Sequence, residues 1–269
     1  MQSPANLPRV WLGILLFLGT VLSPASADAV RPFITDDARI SEKGQVAIET
    51  FGQLSITEGQ KPVYGLHSLQ AFGITNQLEL TTGSVGAELR DRRLTPDHLV
   101  LQPKLLLYQS FGAIPSVSIA AGLVIPISGN RQQWDTYAMA HVSWFLFRLD
   151  ESPDPYDYRL AIYLNGGTKG RYDAGLGGRH TSRPFWAAGF EVSTFVRQVR
   201  FLAETFNGDP FDFSEEFPAY QTGFRWYKSR SVQMDIAWKG IRVAHPRELR
   251  EHWDYSLQIG LRIVLDVFR

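Results

Sequence analysis

The chain has 269 residues, 44% hydrophobic and 20% charged, with 27 basic side chains against 27 acidic ones. That balance argues against a nucleic-acid partner, which needs an excess of Lys and Arg to neutralise phosphates. The absence of cysteine removes zinc ribbons, iron–sulfur clusters, thiol catalysis and disulfide scaffolds together. A mean hydropathy of −0.13 is that of an ordinary soluble domain, an impression that the order of the residues overturns.

Arg9 is the only charged side chain before the apolar stretch Val10 to Leu22, and Ser23-Pro24-Ala25-Ser26-Ala27 comes next with small residues in an A-x-A pattern. This reads as a secretory signal peptide over residues 1–27, too short an apolar run for the roughly 20 residues of a helical span. A second A-x-A ends at Ala29, and with no cysteine a lipoprotein anchor is ruled out. Residues 28–44 carry no strong period. They are expected to lie at the periplasmic mouth of a barrel formed by residues 45–269, or to fold into it as a plug.

From residue 45 the pattern is alternation. Val46, Ile48, Leu54 and Ile56 share one parity while Glu49, Gln53 and Ser55 share the other, as a pleated strand with two different faces requires. Leu99, Leu101, Leu105 and Leu107 oppose Gln102 and Lys104, and Leu257, Ile259, Leu261 and Ile263 oppose Ser256, Gln258 and Arg262. No stretch has a convincing helical period. The alternation predicts about twelve strands, at 45–56, 63–74, 78–86, 98–109, 116–128, 136–149, 158–167, 184–195, 199–207, 219–227, 232–241 and 253–266.

Long connections (57–62, 87–97, 129–135, 168–183, 208–218, 242–252) alternate with shorter ones such as 75–77, 196–198 and 228–231. An even number of strands with that alternation predicts a single antiparallel transmembrane β-barrel over 45–269, long loops outside and turns in the periplasm. Closure has a physical cause, because an open sheet edge in hydrocarbon leaves backbone N–H and C=O groups unpaired. Aromatics cluster near strand ends in two belts. Trp134, Tyr137, Trp186, Phe206, Tyr220, Trp238 and Trp253 lie toward the long loops; Phe72, Tyr108, Phe147, Phe195 and Tyr227 lie toward the turns. Pro103 and Pro126 fall inside strands, where each removes a ladder donor.

Several short motifs carry a family resemblance. Arg31-Pro32-Phe33-Ile34-Thr35-Asp36-Asp37-Ala38-Arg39-Ile40 with Gly44 and Ile48-Glu49, then Phe72-Gly73-Ile74-Thr75-Asn76-Gln77-Leu78-Glu79-Leu80, Lys104, Leu164-Asn165-Gly166-Gly167, Ala203-Glu204 and Gln221-Thr222-Gly223-Phe224-Arg225, resemble outer-membrane proteins of the MetA-pathway of phenol degradation family. The resemblance covers nearly all of the chain beyond residue 28. It implies an outer-membrane transporter of Gram-negative cells, with aromatic-compound uptake suggested by the family name. Outer-membrane barrels commonly end on an aromatic, whereas this sequence ends Phe268-Arg269, with Phe268 on the parity opposite Leu261, Ile263 and Leu265.

Glu49, Glu79, Lys104, Arg159, Glu191, Glu204, Arg225, Asp235 and Arg262 fall on the lumen parity, since a Lys or Arg facing lipid at the midplane costs roughly 2–4 kcal/mol. They are expected to brace the barrel or line a solute path, with Glu79–Lys104 and Glu204–Arg225 as candidate cross-strand pairs. The partners expected are outer-membrane lipid and a small, apolar or aromatic solute, without nucleic acid, cofactor or metal. His141-Val142-Ser143 sets an imidazole and a hydroxyl on one strand face, resembling the His-x-Ser pair of outer-membrane acyl hydrolases, and makes such an enzyme the alternative to a channel. Asp36-Asp37 lacks a third ligand for a cation, Gly175-Leu176-Gly177-Gly178 lacks the strand-to-helix context of a phosphate loop, and Asp209, Asp212, Glu215 and Glu216 read as a solvated acidic loop.

Overall fold

The computed structural model describes residues 33–57, 62–90, 93–95, 98–110, 114–127, 133–148, 158–174, 178–208, 211, 218–229, 231–244 and 251–267. The signal-peptide expectation, the glycine run at 175–177, the acidic loop residues and Phe268 lie outside them. The regular structure described is all β: β1 (Gln45–Ile56), β2 (Val63–Gly73), β3 (Leu78–Arg90), β4 (Arg93–Thr95), β5 (His98–Tyr108), β6 (Ser116–Pro126), β7 (Gln133–Arg148), β8 (Tyr158–Asp173), β9 (Arg179–Ser193), β10 (Val199–Asn207), β11 (Pro218–Ser229), β12 (Val232–Ala244) and β13 (Glu251–Asp266). Twelve of these form a closed antiparallel barrel in which each strand pairs with its sequence neighbours and β1 pairs with β13; β4 is a short ribbon on the end of β3.

Burial is inverted relative to a soluble barrel. Along β5, Val100, Gln102, Lys104 and Leu106 are buried, while Leu101 is 43% and Leu107 53% exposed against 3% for Lys104. A sheet that puts leucines outside and a lysine inside satisfies both faces only with hydrocarbon around it. The strands are longer than the expected spans on the loop side. β7, β8 and β13 have 16 residues each, against about ten that cross a bilayer. The connection expected at 168–183 is mostly strand, since β8 runs to Asp173 and β9 starts at Arg179. The polar arms Thr168–Asp173 and Arg179–Arg183 conceal this in the sequence, because past the membrane neither face needs to be apolar.

Pro103 sits within β5, where the β5–β6 ladder has no pairs between Leu101↔Leu123 and Lys104↔Ala120. Pro126 is the last residue of β6. Opposite the gap, the Tyr137 ring lies over Gly122, whose missing Cβ would fall 2.0 Å from Tyr137 Cζ, and the phenol donates to Gln102 Oε1 at 2.6 Å. The aromatic belts need a correction. Trp134, Trp186, Tyr220 and Trp238 are exposed toward the loop end and Tyr108, Phe147 and Phe195 toward the turn end. Tyr137, Phe206 and Tyr227 instead share the parity of buried residues on their strands and point inward.

Candidate functional site

The candidate site is the lumen, and its turn-side half is occupied by the chain's own N-terminal segment. Phe33, Ile34, Thr35, Asp37, Ala38, Arg39, Ile40 and Ser41 are all buried, and their partners come from strands all around the wall. Glu204 of β10 accepts from the Ile34 and Thr35 amides, each at 2.8 Å, and from the Thr35 hydroxyl at 2.6 Å. Asn165 of β8 grips Asp36 at both ends of its backbone, accepting from the amide at 2.6 Å and donating to the carbonyl at 2.9 Å. Ser143 Oγ of β7 accepts from the Ala38 amide at 2.9 Å, and Glu79 of β3 from the Ser41 amide at 2.7 Å.

These acceptors have one physical role. A segment crossing the lumen in no sheet has backbone donors that must be met by side chains once water is displaced. Two carboxylates, an amide and a hydroxyl on the inward parity supply that need. The segment's own charges are also met: Lys104 Nζ reaches Asp36 Oδ2 at 2.9 Å and the Asp37 carbonyl, Arg39 pairs with Asp37, and the Arg39 guanidinium lies over the Phe145 ring at 4.5 Å. Burial pushes the Asp37 carboxyl up, but the Arg39 guanidinium beside it outweighs burial and holds it below the usual carboxylate range.

Below the segment, Glu191 of β9 is fully buried and gathers three phenols, Tyr158, Tyr163 and Tyr227, with Arg225 at 3.1 Å and Arg200 at 3.3 Å. Arg225 also holds Asp235 at 2.9 Å, and its guanidinium lies 5.5 Å from the centroid of the Phe33 ring. Buried charges of this kind are tolerated only when mutually paired.

The loop-side half is different. Leu69, Val85, Val100, Ala120, Val124, Met139 and Phe185, with Tyr137, form one buried apolar cluster on the inward faces of β2, β3, β5, β6, β7 and β9. Phe211 packs against it, its ring 5.6 Å from that of Tyr137. Across the lumen the wall is amide-rich, with Gln221 donating to Gln258 and Gln258 to Gln53. The lumen therefore has an apolar flank facing a polar one of amides together with the buried Lys239.

Of the residues singled out in the sequence, Glu79, Lys104, Glu191, Glu204, Arg225, Asp235 and Arg262 are buried in these networks, and Glu49 pairs with Arg262 at 3.6 Å. Arg159, by contrast, is exposed near the start of β8, where Tyr158 turns inward. The expected Glu204–Arg225 pair does not form, because Glu204 binds the segment and Arg225 binds Asp235 and Glu191. Lys104 and Glu79 are register partners, yet both reach to the segment: Lys104 bonds Asp36 and Glu79 accepts from Ser41. Asn165, Ser143 and His141 are wall residues that charge-counting passes over, although their inward parity marks them. His141 and Ser143 are not set as base and nucleophile: Ser143 Oγ serves Ala38, while the imidazole faces Asn165 and Asp36.

No protein-family model matches the chain, and no curated protein matches it. Among solved structures it is similar to an outer-membrane channel from Pseudomonas putida F1, with a TM-score of 0.50 and 12% identity over 91% of this chain and 100% of that one. It is also similar to the NanC porin, with a TM-score of 0.49 and 10% identity over 80% of this chain and 98% of that one. At such identities the likeness is one of fold: an outer-membrane type of β-barrel.

Proposed function

We propose that the protein is an outer-membrane channel admitting small apolar or aromatic solutes. The observation that carries this reading is the apolar flank of the loop-side lumen, from Leu69 and Val85 to Val124 and Phe185. A path for sugars or ions would need polar groups there. Apolar side chains facing inward here fill the barrel by packing on one another and on Phe211, in place of the polar groups that line a water-filled lumen. They match instead the way small-molecule sites are lined, mostly apolar with a few oriented polar groups; Tyr137 and Gln102 supply those here. The barrel fold shared with outer-membrane channels and the family resemblance of the short motifs support the same reading.

The test is initial uptake of a labelled monoaromatic at low external concentration by cells with and without the protein. The paired change Val100→Thr and Val124→Thr places two hydroxyls on the apolar flank at nearly constant volume, and lowers uptake about tenfold, equivalent to roughly 1–2 kcal/mol of polar mismatch. Equal uptake with and without the protein overturns the proposal.

A further inference from the structure

Asn165 settles the protonation state of a buried histidine. Its Oδ1 accepts from the Asp36 amide and its Nδ2 donates to the Asp36 carbonyl, so the amide has one orientation only. The second Nδ2 hydrogen points at His141 Nδ1, 3.0 Å away. Nδ1 is therefore an acceptor, and the single proton of the neutral ring sits on Nε2. Nε2 faces Asp36 Oδ2 at 3.9 Å, beyond hydrogen-bond reach, and has no other hydrogen-bond partner among the described residues. His141 is fully buried. Its register neighbours are Ser118 on β6 and Asn165 on β8, neither of which titrates. The ionisable groups acting on it are Lys104 of β5 and Asp36 and Asp37 of the segment.

A proton arriving at His141 has only Nδ1 to occupy. There it meets an N–H already pointing at it, and two donors face each other. Asn165 can relieve this only by turning its amide over, which sets its oxygen against the Asp36 carbonyl and its nitrogen against the Asp36 amide. Both of its bonds to the segment are then lost.

We propose that His141 and Asn165 form a proton-operated clamp on the N-terminal segment, closed while the imidazole is neutral and released when it is protonated. This rests on the reading of the lumen as a solute path and adds its regulation: acid loosens the segment at Asp36 and opens the turn-side half. The new imidazolium retains an attraction for Asp36 through Nε2, opposed by Lys104, so the segment is loosened at its backbone while its carboxylate stays tethered. Loss of two hydrogen bonds of ordinary strength shifts the ratio of seated to released segment by roughly 30-fold.

Two measurements on the full protein test this. Imidazole 15N spectra of the folded barrel show the Nε2–H tautomer for His141 at neutral pH, and its acid titration moves the amide signals of Asp36 and Ala38 in step. An Nδ1–H tautomer, or a titration that leaves those amides unmoved, overturns the clamp. In planar bilayers, wild-type ion conductance rises about tenfold on acidification, within the limit set by two hydrogen bonds. His141→Gln, which keeps an acceptor for Asn165 and takes no proton, stays low throughout; Asn165→Leu is high throughout. Acid opening that persists in His141→Gln overturns the proposal. Amide signals that move with His141 while conductance stays at the level of empty bilayers uphold the clamp and overturn the channel reading beneath it.

Discussion

The two halves of the lumen solve opposite problems with the same strand parity. On the turn side, inward positions carry Glu79, Lys104, Glu191, Glu204, Arg225 and Asp235, and the space between them is filled by residues 33–41. On the loop side the same faces carry Val85, Val100, Val124 and Phe185. The charged half is costly to build, because every buried ion needs a partner, and it returns a segment held at fixed points. Among the described residues, the loop-side half meets Phe211 on its apolar flank and, on another face, only Ile34 of the segment, packed with Ala187, Phe206 and Ala219. The contrast separates a region where chain meets wall through directional bonds from one where the wall is lined by packed apolar side chains.

The strongest way to break the turn-side half is Glu204→Leu. It leaves the Ile34 amide, the Thr35 amide and the Thr35 hydroxyl without an acceptor, a loss of about 3–5 kcal/mol in seating the segment. Trypsin then cleaves the folded protein after Arg39, which is buried in the wild type, and Glu204→Gln gives an intermediate rate. Next is Gly73→Val, whose new Cβ would lie 1.9 Å from the Glu42 carbonyl oxygen where the segment crosses β2. Overpacking of that kind costs about 1–3 kcal/mol and lifts the base of the segment, with ion conductance as the readout.

Acid tests the same half through Asp37. Its folded pKa lies below the ordinary value of 3.8, so the Asp37–Arg39 pair contributes its full stabilisation above 3.8 and loses it as pH falls through the lowered value. Thermal unfolding of wild type against Asp37→Asn converges only in strongly acidic buffer. The smallest effect belongs to the loop-side rim, where Arg171 meets Asp135 at 2.7 Å with the arginine side chain 32% exposed. Asp135→Asn shifts stability by less than about 1 kcal/mol and leaves the seating of the segment unchanged.

Alternation made the barrel legible in the sequence: Gln45–Ile56 has Val46, Ile48, Leu54 and Ile56 on one parity, and Val199–Asn207 has Val199, Phe201 and Ala203 on one parity. The strand arms beyond the bilayer were hidden, because Thr168–Asp173 and Arg179–Arg183 are polar on both faces and give no apolar alternation. Parity also marked Glu204 and Arg225 as inward. It gave no hint that they would ignore each other, since that depends on residues 34 and 35, more than 160 positions away from Glu204 and without a period of their own. Ser143, named in the sequence for a His-x-Ser pair, and Asn165, named within a short motif, had their role toward the segment hidden for a related reason. An uncharged residue on an inward face carries no signal until a backbone amide is found against it.

The central claim, that the loop-side lumen receives apolar solutes above a seated segment, is tested most directly by methyl-labelled NMR with a monoaromatic alcohol. The account predicts intermolecular cross-peaks from the aromatic protons to the inward methyls of Val85, Val100 and Val124 and to Met139, with the Ala38 amide unmoved. Cross-peaks confined to the outward methyls of Leu99, Leu101 and Ile119 would contradict it.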